Sequence, residues 1–322
     1  MNRKTFLAIG VATLLTCCSA FAQSYPAAKH VRILVGASAG GGTDILARML
    51  ADKFGKSMKQ SFLVENRPGA ANTLAADATA KAPKDGYTLL VATNTGQAIA
   101  PHLLKLAYDP MKDLQPIGML VIVPHLLVVG PSEKAKDAKE FVEGMKANPT
   151  RYSYASSGIG STQHVAGEAL NMAIGTKAVH IPYKGSSAAQ TDLIGGQIQF
   201  MIDTTSSAMG QVKTGSLRAL AVTSAKRLAD LPDVPTMRDL GMPAVEITTW
   251  YGLYTTAGTP KVVVDKLHAE LRRTLNLPDV QERLRSLGGS SEDMTIQQFT
   301  DFNRDEFNRF GKLVKDANIK AE

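Results

Sequence analysis

Two stretches of the chain share one design, in which an apolar strand runs into a glycine-rich loop and then into an amphipathic helix. In the first, the strand 31–35 leads into the loop 37–44; in the second, the strand 152–155 leads into the loop 156–164. Glycine lets the backbone approach a ligand closely, and a helix N-terminus offers unpaired N–H groups with partial positive charge. Two such ends that face each other predict a binding site for a small anion.

The N-terminal segment has the pattern of a secretory signal. Arg3 and Lys4 precede the apolar run 6–15, and residues 20–22 (Ala-Phe-Ala) supply a small–x–small cleavage pattern. The run is too short to be a stable bilayer anchor. We therefore expect residues 1–22 to be a signal peptide and the mature chain to work in the periplasm. The alternative is an N-terminal helix of a cytosolic protein.

Cysteine usage and charge exclude several classes of function. The two cysteines, Cys17 and Cys18, would leave with the signal, unless one of them carries a lipoprotein anchor. The mature chain then has no disulfide, cysteine nucleophile or cysteine metal ligand. Loss of the leader lowers the formal net charge of +7 by two, and the remaining excess is spread along the chain. Without a basic and aromatic platform, nucleic acid is not an expected partner.

Strand and helix patterns alternate along almost the whole chain, which predicts an α/β fold with mainly parallel sheets covered on both faces. About 300 mature residues suit two lobes better than one core. We expect lobe 1 to comprise residues 23–123 plus 250–322 and lobe 2 to comprise residues 124–249. Two crossover strands, near 121–126 and 248–253, would form the hinge. Ligands in such sheets lie beyond the carboxyl ends of strands, so both glycine loops should line the cleft.

The glycine loops do not match nucleotide-binding or hydrolase motifs. A P-loop ending at Gly55-Lys56-Ser57 would need glycine where Leu50 stands, and no G-x-S-x-G elbow occurs. The six histidines are scattered, and His164 and Glu168 lie one helical turn apart, a spacing that would place two ligands on one face. A pair on a helix surface is more common than a metal site built on it. We therefore expect neither a cofactor nor a metal.

Hydrogen-bonding groups remain as the candidates for ligand recognition. Six hydroxyls lie beside the exposed N–H groups of the loops and suit a carboxylate, namely those of Ser38, Thr43, Ser156, Ser157, Ser161 and Thr162. The alternative is that these residues only cap helices. Asp44 is expected to cap its own helix. Asp203 ends an apolar strand at the cleft edge, where it would orient water, Tyr183 or loop amides.

Seven fragments in order give the chain a resemblance to a known family. They are 41–44 (GGTD), 64–70 (VENRPGA), 85–89 (DGYTL), 154–158 (YASSG), 182–185 (PYKG), 220–224 (LAVTS) and 231–236 (LPDVPT). With them the chain resembles, over essentially its whole mature length, the periplasmic solute receptors of tripartite tricarboxylate transporters, also called the Bug family. Ala71-Asn72 departs from the family pattern, since two small residues, often glycine, are common there.

The resemblance implies a two-lobed periplasmic binding protein of type II, the Venus-flytrap fold, with a hinge of two crossover strands. It implies a monomer that binds a small carboxylate and delivers it to membrane permease subunits. Family ligands include di- and tricarboxylates, acidic amino acids and aromatic carboxylates. The residues carried over to the ligand site are Ser38, Gly41, Gly42 and Thr43 on one side, Ser156, Ser157, Gly160 and Thr162 facing them, and Tyr183 and Asp203 behind.

Two further functions stay open at this point. An enzyme on the same fold would need an acid–base pair in the cleft, such as Asp203 with His164. A sensor subunit would bind the same ligand but pass its status to a signalling partner. Specificity for the far end of the ligand is expected from side chains such as Asn94 and Trp250. Trp250 or Tyr251 would stack on an aromatic ligand, unless they are buried hinge residues.

Overall fold

A computed structural model of the chain describes residues 25–321. The predicted signal peptide, with Cys17 and Cys18, lies outside the described residues. Within residues 25–321, none of the helices combines the length and the apolar character that crossing a membrane requires.

The first sheet is built from the two ends of the chain. Its five strands are β1 (Val31–Val35), β2 (Phe62–Asn66), β3 (Thr88–Thr93), β4 (Leu114–Val123) and β10 (Thr249–Thr256), in the order β2-β1-β3-β10-β4. Alternate residues of β1 and β3 enter separate apolar clusters. One cluster packs on α1 (Gly42–Met58) and α8 (Lys261–Leu275), and the other on α2 (Thr73–Ala80) and α10 (Ile296–Asp316). Helices therefore cover both faces.

The second sheet comes from the middle of the chain. Its strands are β5 (His125–Val129), β6 (Ser153–Ser156), β7 (Val179–Pro182), β8 (Phe200–Thr204) and β9 (Arg218–Val222), in the order β7-β6-β8-β5-β9. One face packs on α4 (Ala138–Ala147) and α5 (Thr162–Ile174), and the other on α6 (Ser186–Ile194) and α7 (Thr205–Lys213). The apolar cluster around α5 continues into the first sheet, so a shared core joins the two halves.

The chain passes between the sheets at two adjacent places. Pro124 alone separates β4 from β5, and the segment 223–248 leads back into β10. Thr249 at the start of β10 lies opposite Val123 at the end of β4, so the two passages run side by side. This geometry is what a hinge of two crossover strands requires.

In each sheet four of the five strands run in the same direction, as expected for mainly parallel sheets, but one strand in each runs the opposite way. Strand β1 is parallel to β2 and β3, and β6 is parallel to β7 and β8, but β10 and β5 run antiparallel to both of their neighbours. The reason is that β5 and β10 enter their sheets from the passages between the sheets. Crossover helices, which make neighbouring strands parallel, do not precede them.

Two helical segments that follow β3, a π-helical turn (Thr95–Ile99) and the short helix α3 (Ala100–Leu103), were not predicted from the sequence. The helix α9 (Pro278–Ser286) lies between α8 and α10. The π-helical turn directly follows β3 and packs against α10. It therefore places residues 94–99 between the carboxyl end of a central strand and a covering helix, where π-helical turns often carry functional residues.

Candidate functional site

The first glycine loop ends in a helix N-terminus without a side-chain cap. Gly41 is the N-cap of α1 and donates its N–H to the carbonyl of Ser38 at 3.3 Å. The first-turn N–H groups of Gly42, Thr43 and Asp44 have no carbonyl in the preceding turn. Ser38 and Gly41 are exposed, and Thr43 is buried. The loop thus presents backbone donors at the positive end of a helix.

Asp44 holds this loop in place. Its carboxylate accepts hydrogen bonds from the Gly40 N–H, the Arg48 guanidinium and the Asn66 amide, each at 2.9 Å. The hydrogen bond from Arg48 is the main reason why the pKa of Asp44 falls to about 2. The carboxylate is therefore ionised and fully engaged in the loop, and it leaves the N-terminus of α1 to another partner.

The second glycine loop uses most of its own hydroxyls internally. Ser156 Oγ donates to the Gly158 carbonyl at 2.9 Å and lies 2.7 Å from Nε2 of His180. Ser157 donates to the Gln163 side chain at 3.0 Å, and Ser161 caps α5 by accepting the His164 N–H at 3.2 Å. These serines shape the loop. A ligand on this side would therefore meet backbone N–H groups and the Thr162 hydroxyl.

Two stacked histidines support this loop from behind. The rings of His164 and His180 lie 3.7 Å apart, and Nδ1 of His164 accepts the Gly160 N–H at 3.1 Å. Burial lowers the pKa of His164 to about 4, and burial together with the neighbouring His164 ring lowers that of His180 to about 3. Both rings are neutral near pH 7. An Nδ1 without a proton is what the Gly160 N–H requires.

Asp203 lies behind the loop as the centre of a buried network. Its carboxylate accepts hydrogen bonds from Gln163 (3.3 Å), Ser186 (2.9 Å), Gln190 (2.7 Å) and the Thr204 N–H (2.8 Å). Burial raises the pKa of Asp203, and these four donors partly offset the shift. Because Gln163 also accepts from Ser157, Asp203 positions the second loop through Gln163.

The N-termini of α1 and α5 meet the same short stretch of β10. A Cβ on Gly42, the first residue of α1, would lie 3.2 Å from the Tyr251 hydroxyl. Thr162, the first residue of α5, has its hydroxyl 2.9 Å from that of Thr249. Residues two apart on a strand share a face and are separated by roughly 7 Å. The two helix ends therefore converge on a space the size of a small ligand.

Thr249 also connects this space to the hinge. Its hydroxyl lies 2.9 Å from Nε2 of His125, the first residue of β5. Burial lowers the pKa of His125 to about 3, so the ring is neutral. Burial likewise raises the pKa of Tyr251 to about 12, and its hydroxyl stays protonated as a donor. The space is thus lined by neutral side chains and backbone dipoles.

Several buried polar atoms at the end of β3, in the π-helical turn after it and at the start of β5 have no hydrogen-bond partner among residues 25–321. They are Thr93 Oγ1, Asn94 Oδ1, Nδ1 of His125 and both amide atoms of Gln97. Asn94 is held in place by its amide nitrogen, which donates to the Thr248 carbonyl at 2.8 Å. A buried polar group without a partner costs about 1–3 kcal/mol, so such groups call for a water or a ligand.

The structure brings together many of the residues predicted for the site, but not all of them. Gly42 and Thr162 begin the converging helices, and Asn94 reaches the segment that leads into β10. Tyr183 is directed elsewhere, since its hydroxyl donates to Asp192 at 2.6 Å. Trp250 is fully buried, with its indole N–H on Glu306 at 3.2 Å, and is a core residue.

Sequence reasoning missed the contributions of the hinge. Thr249, His125 and the Tyr251 hydroxyl lie at the two passages between the sheets, and no local motif marks them. Gln163 was missed as well, although it stands directly after the predicted Thr162. The signal available in the sequence was that Gln163 is a polar residue in the first turn of a helix that is mostly apolar further along.

The acid–base pair considered for an enzyme is not formed. His164 is bonded to the Gly160 N–H, and the four hydrogen bonds of Asp203 go to other residues. Glu168 accepts from the Tyr154 hydroxyl. Among residues 25–321, no group of three or more histidines, cysteines and carboxylates is arranged to hold a metal ion.

Comparisons of the sequence and of the structure with known proteins point to the same family of receptors. The sequence model described as "Tripartite tricarboxylate transporter family receptor" matches residues 46–319. The structure of the periplasmic binding protein BugD is 35% identical, with a TM-score of 0.81 over 92% of this chain and 100% of that chain.

Two of the similar structures contain a carboxylate. A protein of R. palustris solved with adipate is 30% identical, with a TM-score of 0.83 over 92% of this chain and 99% of that chain. MatC of Rhodopseudomonas palustris with bound malate is 31% identical, with a TM-score of 0.79 over 89% of this chain and 99% of that chain.

Proposed function

The chain belongs to the tripartite tricarboxylate transporter receptor family, and we propose that it binds a small carboxylate in the periplasm and delivers it to a membrane permease. The ligand lies between the two sheets, and the protein closes around it. The moving lobes are residues 23–123 plus 250–322 and residues 124–249. They turn about the passages near 121–126 and 248–253.

The convergence of two helix N-termini on β10 is the observation that carries this proposal. Gly42 approaches Tyr251, and Thr162 bonds to Thr249, so the positive ends of α1 and α5 flank one space. Helix N-termini stabilise an anion without a cationic side chain. The buried residues in 25–321 include neither lysine nor arginine, so backbone dipoles would balance the ligand's charge. Relatives solved with adipate and malate support a carboxylate as the anion.

A thermal-shift screen of the exported protein tests carboxylate binding. The protein is unfolded and refolded first to remove retained ligand, then heated with carboxylates and with their neutral amide analogues. A ligand at about a hundred times its dissociation constant stabilises the fold by roughly 2.7 kcal/mol. We expect a rise in Tm with a carboxylate and none with its amide. No rise with any carboxylate, or an equal rise with the amides, contradicts the proposal.

An Asp203→Asn substitution separates a receptor from an enzyme. In the receptor, the substitution weakens binding about tenfold, because an amide NH₂ then faces donors in the Asp203 network and loosens the second loop. Binding persists, and the ligand is recovered unchanged. Proton NMR of the bound carboxylate after prolonged incubation checks this. Conversion of the ligand by the wild-type protein, abolished in the variant, would instead identify an enzyme.

Delivery to a permease has its own test. We expect the ligand-bound protein to co-purify with the permease subunits of its own cell from detergent-solubilised membranes. The ligand-free protein should recover a smaller amount of the permease. Recovery of a sensor ectodomain, with no permease, would replace transport by signalling. Because the readout is the identity of the membrane protein recovered, the experiment tests the partner separately from the thermal-shift screen.

A further inference from the structure

Asn94 presents a buried hydrogen-bond acceptor beside the space between the glycine loops. It is completely buried, and its amide nitrogen is fixed by the bond to the Thr248 carbonyl. That bond settles the orientation of the amide, because an oxygen in this position would face another oxygen. Oδ1 is therefore the unpartnered atom, and it can accept a hydrogen bond but cannot donate one.

Thr93, the residue before Asn94, ends β3 beside β10. Its hydroxyl is also buried and lacks a partner among the described residues. Thr93 is paired in register with Tyr251, whose hydroxyl approaches the start of α1. Asn94 reaches Thr248, the residue before Thr249. Thr93 and Asn94 therefore border the space on which both helix N-termini converge.

The charge of this surface limits what can bind there. His125 is neutral, and the carboxylates of Asp44 and Asp203 are engaged in the networks described above. A second carboxylate placed against Asn94 Oδ1 would bring two acceptors together with no buried lysine or arginine to offset them. A methylene placed there would leave the amide oxygen without a partner.

We infer that the ligand carries, in addition to its carboxylate, an uncharged hydrogen-bond donor, a hydroxyl or an amide N–H, which Asn94 Oδ1 accepts and Thr93 supports. This inference rests on the proposed carboxylate binding and makes it more specific. A site built to hydrogen-bond a donor discriminates strongly against an analogue that lacks it, because its own buried groups are then left unpaired.

Matched pairs of carboxylates test the inference by calorimetry on the refolded protein. The pairs are lactate and propionate, malate and succinate, mandelate and phenylacetate, and succinamate and monomethyl succinate. In each pair the carbon skeletons are similar, and one member has the donor. We expect the donor-bearing member of whichever pair binds to bind at least tenfold tighter. Equal affinities within the pairs would overturn the inference while carboxylate binding stands. No binding by any compound would overturn both.

Two variants assign the preference to this surface. Thr93→Val keeps the branched shape but removes the hydroxyl, and Asn94→Leu removes the acceptor. We expect the preference for the donor-bearing member to fall about threefold in the first and to disappear in the second. Thr88→Val, at the other end of β3, is the control and should retain it. If Asn94→Leu does not fold, the Thr93→Val result decides, since an unchanged preference there contradicts the inference.

Discussion

Gly160 and Gly175 stand at opposite ends of α5 and have the same left-handed φ of +72°, but their surroundings differ. A Cβ on Gly160 would lie 2.7 Å from Leu103 Cδ1, which belongs to the first sheet's half of the molecule. A Cβ on Gly175 would meet nothing within 4 Å. A side chain at either position carries the backbone strain of the left-handed region, about 1–2 kcal/mol.

We therefore expect Gly160→Ala and Gly175→Ala to lose similar stability in urea unfolding. Only Gly160→Ala should also weaken ligand binding, by roughly fivefold or about 1 kcal/mol, because its methyl group opposes the approach of the second loop to Leu103. Calorimetric titration of both variants with the same carboxylate measures the difference. Equal losses of affinity would show that this approach does not contribute to binding.

The sequence predicted the residues of the glycine loops but not the roles of their side chains. Glycine, serine and threonine at the starts of α1 and α5 were identifiable because helix N-termini have a local signature. That Ser156 and Ser157 bond within the loop, to Gly158 and Gln163, depends on side-chain directions that spacing does not reveal. Local strain was equally absent from the prediction, since Ala71 and Asn72 adopt left-handed φ values of 52° and 71°.

At the scale of elements, α5 and the loop before it depend on neutral histidines. His164 and His180 both titrate well below the ordinary histidine pKa of 6.5 because they are buried. The unfolded chain therefore binds more protons than the native protein between pH 6.5 and about 4 at His164, and between pH 6.5 and about 3 at His180. The contribution of these neutral histidines to the free energy of unfolding is fully present above pH 6.5, and it declines as the pH falls through this range. The bond of the Gly160 N–H to His164 is lost when Nδ1 is protonated.

We expect the free energy of unfolding to fall between pH 7 and pH 5, by on the order of 2 kcal/mol for His164 alone. Urea titrations across this range measure it. The carboxylate of Asp44, with its pKa near 2, contributes below pH 3.8, which is outside the range between pH 7 and pH 5. His180→Phe keeps an aromatic ring in the stack but removes one titrating group, so its pH slope should be shallower. If the free energy of unfolding depended on pH equally in the wild type and in His180→Phe, the proposed role of the neutral histidines would be contradicted.

Most elements were predictable because their apolar periodicity is strong, and the errors have physical causes. The helix expected after each glycine-rich loop is present, as α1 (Gly42–Met58) and α5 (Thr162–Ile174). The direction of β5 and β10 was not predicted, because strand direction depends on how the chain enters a sheet rather than on the strand's own residues. The π-helical turn at Thr95–Ile99 was also missed, since its stability comes from packing against α10.

For the whole molecule, Thr249 is the point where the two halves and the hinge meet. Its hydroxyl contacts both Thr162 of α5 and His125 of β5, while its backbone pairs with Val123 across the passages. The sequence located this hinge near 248–253, but the role of the threonine follows from tertiary contacts. Because Thr249 holds Thr162, the first residue of α5, at the hinge, it fixes the helix N-terminus that faces the ligand, so this contact should contribute to affinity.

The comparison of Thr249→Val with Thr256→Val tests that contribution. Both threonines are buried on β10, and Thr256 donates to the Thr79 carbonyl at 2.8 Å, far along the strand from the hinge. Each substitution removes one hydroxyl and keeps the branched shape, so both should lower the free energy of unfolding by about 1 kcal/mol. We expect Thr249→Val alone to weaken carboxylate binding, by about tenfold, in calorimetric titrations. If both variants bind like the wild type, ligand binding does not depend on the Thr162–Thr249 contact, and the N-termini of α1 and α5 would have to hold the ligand without it.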